Sequence, residues 1–421
     1  MNGEFHSEHK PDREWTKSLT GRAAALTWLA TEAGAALLAE AAQLPADRLT
    51  RLARLRHHVS PEYAAAAVET LELRQRARAK FPDADTMLFT PEGLEQSTGA
   101  AIARYRAARF PEDAPVLDAC CGIGGDARAL AARGPVLAVD RDPAALVCAR
   151  ANAAPAAPLF SLCADVTALE LARLRAGGVT AALFDPSRRA DRPGGGRRRV
   201  RSAEDYAPPL SWLEALRAYF PALAVKVSPA LPDEDLTRWG ARIEFLSDQG
   251  ECKEALLWFG PPAESLPPAG PCATVLRAGA PPATLAPFAC SPRSLSSPRA
   301  WLFEPDPAVI RAHLLPQVAS LLHAALLDPH IAYLTADTAV PTPFTTAYRV
   351  LDWLPFHLKN TQARLRALGR RVTAIKRRGV PLEPEALRKR LTGDPDADAG
   401  AIVVLTRLAG RPIALLCEPG V

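Results

Sequence analysis

The spacing of apolar residues changes period along the chain, and those changes divide it. From about residue 26 to residue 109, Ala and Leu recur at three- and four-residue intervals, the pattern of amphipathic helices, and Pro45, Pro61 and Pro82 fall where helices would start or stop. Between residues 113 and 260, short apolar runs alternate with helical stretches, which predicts a parallel sheet with crossover helices. The strands fall at the run entering Val116, at 135–139, 159–163, 181–184 and 223–227, with an antiparallel pair at 242–246 and 254–259. From 260 to 299 proline and small residues dominate, as in a linker or wrapping segment, with one short strand at 273–277. The remainder reads as an α+β unit. It has a helix at 308–326, strands at 331–334 and 345–351, a helix at 358–368, a strand at 371–375, a helix at 384–391 and a closing hairpin of 402–408 with 412–417. The expected organisation is a helical domain at 1–110, an α/β domain at 111–260, a Pro-rich linker at 261–300 and an α+β domain at 301–421.

At 421 residues the chain exceeds one ordinary core, and 48% hydrophobic residues exclude wholesale disorder. A formal charge of +5 is compatible with nucleic acid but too small to require it. The eight cysteines form no C-x-x-C pair and no zinc-like spacing to histidine, so reduced thiols are expected. Residues 1–17 are polar, without signal-peptide form, and no run reaches the length of a membrane span. These features predict a soluble, cytoplasmic protein with no membrane partner.

The candidate chemistry is concentrated at residues 116–126, V-L-D-A-C-C-G-I-G-G-D, where a strand, a glycine turn and a helix start follow one another. Glycines permit positive φ and close approach of a ligand, and the first amides of a helix offer unpaired donors. Asp140 ends the next strand eighteen positions after Gly122, where doubly wound folds place a ribose-binding carboxylate. The glycines do not align as G-x-G-x-x-G, so this is not the dinucleotide fingerprint.

With Asp118, Gly122 and Gly124 forming D-x-x-x-G-x-G, the segment resembles motif I of the class I S-adenosylmethionine-dependent methyltransferases. That resemblance implies a Rossmann-like, seven-stranded methyltransferase sheet and S-adenosyl-L-methionine as cofactor, with no metal. It implies that Cys120, Gly122, Gly124 and Gly125 face the methionine part and that Asp118 holds its amino end. Asp140, with Arg141 beside it, would take the ribose, and Asp165 the adenine.

At the end of the fourth strand stands Asp185-Pro186-Ser187-Arg188-Arg189. It is similar to the D/N-P-P-Y/W of methyltransferases that act on exocyclic amines of bases, matching in its first two letters only. Asp185 and Pro186 are the catalytic candidates, and Arg188, Arg189 and Lys226 the substrate-binding ones. An arginine plane can stack on a base as the missing aromatic would. The loop 188–201 carries seven arginines and one acid and would attract phosphates. Lys226 would face a substrate phosphate or stand solvated at its strand end. Residues 80–98 are similar to a segment that precedes motif I and closes over the cofactor in trimethylguanosine synthases and related RNA methyltransferases.

Residues 303–312 with 374–379 resemble the THUMP-like C-terminal domain of a group of bacterial methyltransferases, and THUMP domains proper bind RNA. The basic residues from Arg364 to Arg390 would then face an RNA backbone. The expected function is methyl transfer to an RNA nucleobase. Two alternatives stay open: a small molecule or protein as acceptor, and a binding protein that keeps the fold without catalysis.

Overall fold

The computed structural model describes residues 21–154, 157–187, 202–268, 270–290 and 294–420. The expectation made for the loop 188–201 lies outside the described residues. Contacts divide the chain into two units, one running to Ala241 and adding Leu257–Ser265, the other made of Arg242–Leu256 and Leu266–Val421.

The first unit begins with the helices Gly21–Leu29, Glu32–Gln43, Arg48–Leu55 and Pro61–Ala77. Their starts follow from local chemistry. Ser60 accepts from the Tyr63 amide with Pro61 in the first turn, and Thr31 and Asp47 accept from Gly34 and Thr50. Leu26, Leu29, Leu38, Leu55 and Leu73 are buried together with Ala145, Val147 and Cys148 of the helix Pro143–Asn152, so the helical segment shares a core with the domain that follows. Two further helices, Pro91–Gln96 and Ala100–Ala107, lead into the sheet.

That sheet is built from β1 (Val116–Ala119), β2 (Val136–Asp140), β3 (Leu159–Cys163), β4 (Ala181–Phe184) and β5 (Ala222–Val227). All neighbouring pairs among these are parallel, in the order β3-β2-β1-β4-β5. β1, β4 and β5 are buried throughout, as the near-continuous apolar runs of strands covered on both faces require. The order reverses beside β1, and a crevice at such a switch point lies beyond the carboxyl ends of the strands. The end of β7 (Glu251–Phe259) comes next to β5.

In the second unit the start of β7 pairs with β6 (Arg242–Asp248), and β8 (Cys272–Leu276) and β9 (Ala283–Leu285) follow, so the expected antiparallel pair is extended by two strands. The remaining strands are β10 (Trp301–Pro305), β11 (Ala325–Asp328), β12 (Ile331–Ala336), β13 (Thr345–Pro355), β14 (Arg371–Arg377), β15 (Gly400–Leu408) and β16 (Arg411–Pro419). They form a sheet ordered β11-β12-β10-β13-β16-β15-β14. Successive residues of β15 and β16 enter different cores: Val404 and Leu415 pack with Tyr333, whereas Val403, Leu405 and Leu416 pack with Leu365 and Leu391. Both faces are covered, which is why these strands read as unbroken apolar runs.

The single helix expected at 308–326 is instead two short ones, Pro307–Arg311 and Leu315–Leu321, followed by β11. The break falls at His313, whose φ of 59° is incompatible with a continuing helix, and Pro316 then sits in the first turn of the second helix. Among the described residues no helix is long and apolar enough to cross a membrane.

Candidate active site

Register puts the candidate residues in one row. Ala119 lies beside Val139 and Phe184, and Phe184 beside Val225. The next residue on each strand is Cys120, Asp140, Asp185 or Lys226, so the four stand at one sheet edge, with neighbouring strands about 4.8 Å apart. Residues level on adjacent parallel strands point to the same face, which is how Asp185 and Lys226 come to meet.

The glycine loop is shaped by its own backbone and by Asp140. The amides of Cys120 and Cys121 both donate to the Val139 carbonyl, at 2.9 and 3.0 Å. The Gly122 amide donates to Asp140 Oδ2 at 2.8 Å, and the Asp142 amide to Oδ1 at 3.0 Å. Each carboxylate oxygen retains a second lone pair, so Asp140 can still accept from two hydroxyls. Burial raises its pKa above the ordinary value, against the pull of these amide bonds.

The three loop glycines are needed for different reasons. A Cβ on Gly122, at φ 53°, would meet nothing within 4 Å, so the space above it is open. On Gly124, at φ 81°, it would come within 2.9 Å of Ala149 Cα, and on Gly125 within 2.9 Å of the Thr98 carbonyl oxygen. Gly124 and Gly125 therefore let the protein close on itself, and Gly122 is the one with room over it. Cys120 adopts φ 69° without being glycine. Burial pushes its thiol and that of Cys121 well above the usual range, which keeps both protonated.

Carboxylates cluster at the site. Asp118 on β1 is 1% exposed, and neither carboxylate oxygen has a hydrogen-bond partner among the described residues. Burial drives its pKa well above the ordinary carboxylate value, and the nearby negative charges of Asp126, Asp185 and Asp140 push the same way against Arg106. Asp126 forms a buried ion pair with Arg106. Asp185 Oδ2 receives Lys226 Nζ at 2.6 Å. Four carboxylates, those of Asp118, Asp126, Asp140 and Asp185, thus cluster here, two of them paired with Arg106 and Lys226.

Other expectations fare differently. Lys226 does not stand solvated, since it is buried and paired with Asp185. Asp165 is exposed and its Oδ1 accepts from the Thr167 amide at 2.9 Å and hydroxyl at 2.7 Å, bonds that lower its pKa and fix the turn after β3. Arg141 is exposed beside Asp140. Pro186 is buried, and Ser187 exchanges backbone hydrogen bonds with Ala207 at 3.0 Å each way. Arg188 and Arg189 lie outside the described residues.

Three groups were not singled out from sequence. Thr98, at the end of the segment 80–98, accepts from Lys226 Nζ at 3.0 Å. Asn152 exchanges hydrogen bonds with the Leu88 backbone, at 2.7 and 2.9 Å, and donates to the Ile123 carbonyl at 3.2 Å, tying that segment to the glycine loop. The buried pair of Arg106 and Asp126 had one visible signal, the acid in the first turn after the glycines. In the second unit, several of the basic residues expected on an RNA face are engaged internally: Arg364 with Asp352, Arg370 with Glu418, Lys376 with Glu304 and Arg377 with Glu383. Arg371, Arg388, Lys389 and Arg390 are exposed.

Comparison with known proteins shows the family. An uncharacterized S-adenosylmethionine-dependent methyltransferase of Mycobacterium tuberculosis (strain H37Rv) is 34% identical over 369 residues, covering 84% of this chain and 96% of that protein. The chain belongs to the S-adenosylmethionine-dependent methyltransferases. A crystal structure of a Porphyromonas gingivalis W83 protein, provisionally named a methyltransferase, superposes with a TM-score of 0.73 at 22% identity, covering 92% of this chain and 98% of the other. That likeness speaks for the fold. Residues 345–419 match a THUMP domain-like family, and residues 22–77 match a domain of unknown function. The release factor glutamine methyltransferase of Mycolicibacterium smegmatis is 38% identical over 113 residues, 24% of this chain and 40% of that protein.

The residues present fit the cofactor of this family. A buried carboxylate without a partner calls for a cation or donors, and the ammonium of a methionine moiety is both. A site where carboxylates cluster suits a ligand carrying a sulfonium as well. The open space over Gly122 leaves room for it.

Proposed function

We propose that this methyltransferase modifies an exocyclic amine of an RNA nucleobase, with Asp185 meeting the amine. The observation that carries this reading is the position of Asp185 at the carboxyl end of β4. It stands level with Asp140, and its Oδ1 takes no hydrogen bond from any described residue. Bound S-adenosylmethionine supplies an electrophilic methyl group on a sulfonium. The protein's task is then alignment and exclusion of water. Asp118 would hold the amino end, Asp140 the ribose hydroxyls, and the loop from Cys120 to Gly125 would lie against the methionine portion. Asp185 Oδ1 would accept from the acceptor N–H, which directs the nitrogen lone pair and stabilises positive charge as it develops there.

RNA as acceptor is supported by the THUMP-like match and by exposed Arg371, Arg388, Lys389 and Arg390 in the same unit. Exposed ion pairs such as that of Arg364 with Asp352 contribute little and can exchange for phosphate. A second reading follows from the release factor glutamine methyltransferase: a glutamine amide presents the same planar NH2 group, so a protein acceptor fits Asp185 as well.

Labelled S-adenosylmethionine incubated with RNA and with protein extract, both from cells lacking this protein, separates the two. Label entering RNA, and reduced about 100-fold by Asp185→Asn, is the expected result. Label entering only protein would overturn the RNA assignment while leaving the role of Asp185 to the same control.

A further inference from the structure

Lys226 is left without a task in the account so far. An ammonium is almost never fully buried unless paired, and replacing a buried ion pair by apolar side chains is often neutral or stabilising, so the fold alone gives no reason for it. Its side chain is 7% exposed, on a strand whose other residues are buried and apolar. Among the described residues Nζ donates to Asp185 Oδ2 at 2.6 Å and to Thr98 Oγ1 at 3.0 Å.

Thr98 has two ends with different partners. Its carbonyl oxygen lies so close to Gly125 that a Cβ there would be at 2.9 Å, and its hydroxyl holds Lys226. The same residue therefore abuts the first turn after the cofactor loop and, through one ammonium, the carboxylate at the end of β4. A carboxylate at a strand end rotates about two bonds unless something fixes it. Here one oxygen is taken and the other is left.

We propose that Lys226 and Thr98 are positioning residues for methyl transfer: they fix Asp185 so that Oδ1 faces the acceptor nitrogen, and they join that carboxylate to the cofactor loop. This rests on the reading that Asp185 meets the acceptor, whatever its class. In the transfer the acceptor nitrogen forms a bond to the methyl carbon while the carbon–sulfur bond breaks with its electron pair passing to sulfur. The nitrogen becomes positive and releases a proton, first toward Asp185 Oδ1 and then to solvent. Lys226 touches neither reacting atom. Its charge stays on Oδ2 throughout, so the oxygen offered to the nitrogen is the same before and after the proton moves.

The two ends of Thr98 can be separated by substitution. Thr98→Val keeps the backbone against Gly125 and removes only the hydroxyl, and Thr98→Ser restores it. Methyl transfer is measured on whichever cellular fraction the wild-type protein labels, RNA, protein or small molecules. Failure of the RNA reading thus changes the fraction and not the test. The dissociation constant for S-adenosylmethionine is measured alongside by calorimetry. Thr98→Val is expected to lower kcat about tenfold with cofactor affinity within about twofold of wild type, and Thr98→Ser to recover most of the loss. Lys226→Met and Asp185→Asn are each expected to lose about 100-fold, and the double variant no more than either, because the two act as one unit. The proposal is overturned if Thr98→Val retains full kcat, if its loss appears only as weaker cofactor binding, or if the Lys226 and Asp185 losses multiply.

Discussion

Asp118 shows how a residue can be costly to the empty protein and useful to the loaded one. Its carboxylate is buried with no hydrogen-bond partner among the described residues, and burial raises its pKa well above 3.8. A folded acid that holds its proton more tightly than the unfolded chain favours folding at low pH. That advantage is lost as pH rises from the unfolded value through the raised one, so above that window burial of Asp118 penalises the fold. Asn has the same shape and no charge. Without ligand, Asp118→Asn should be more stable than wild type by about 1–3 kcal/mol at pH 7, with the difference vanishing toward pH 4. The same substitution should weaken S-adenosylmethionine binding about 10–100-fold, since a charge-assisted contact to the ammonium is lost. Thermal melts at several pH values and calorimetry check both halves. A variant less stable than wild type at pH 7 would mean that an unseen cation already compensates Asp118.

At the scale of elements, the site depends on segments distant in sequence being clamped together. Asn152 at the end of its helix satisfies both backbone groups of Leu88 and the Ile123 carbonyl, all buried away from water. Asn152→Ala strands three polar groups, each costing about 1–3 kcal/mol, so a loss of about 3 kcal/mol in stability is expected. Hydrogen exchange should then quicken in residues 81–98 and 120–125 and leave β14 to β16 unchanged. Faster exchange spread evenly over the chain would show that Asn152 does not act on those two segments in particular. The helix expected at 308–326 illustrates the opposite limit. Its apolar spacing continues through the break, and only the turn at His313 and the pairing of β11 with β12 decide that Ala325–Asp328 is a strand.

For the whole molecule, the mild net charge of +5 hides where the cations are committed. Arg106 and Lys226 are buried in ion pairs, and Arg364, Arg370, Lys376 and Arg377 are engaged with neighbouring acids. Exposed Arg371, Arg388, Lys389 and Arg390 are the better candidates for phosphate contact. Replacing these four by Gln should reduce the slope of log affinity for RNA against log salt by about 3 and leave S-adenosylmethionine affinity as it was. An unchanged salt slope in a filter-binding titration would remove these four residues from the proposed RNA contact.

The methyltransferase sheet, the loop from Asp118 to Gly125 and the acids at Asp140 and Asp185 were all legible in the sequence. Each depends on local signals: apolar period, glycine at positive φ, and an acid directly after a strand. The closing hairpin of β15 and β16 was legible for the same reason. Sequence could not say that Lys226 would be buried against Asp185, because that follows from level pairing of β4 with β5, strands separated by some forty residues. Nor could it separate Gly122, open above, from Gly124 and Gly125, which face Ala149 and Thr98. The chain's own pattern determines which residues lie at the strand ends. Only tertiary packing decides which of them meet, because burial and charge pairing depend on neighbours that the local sequence does not contain.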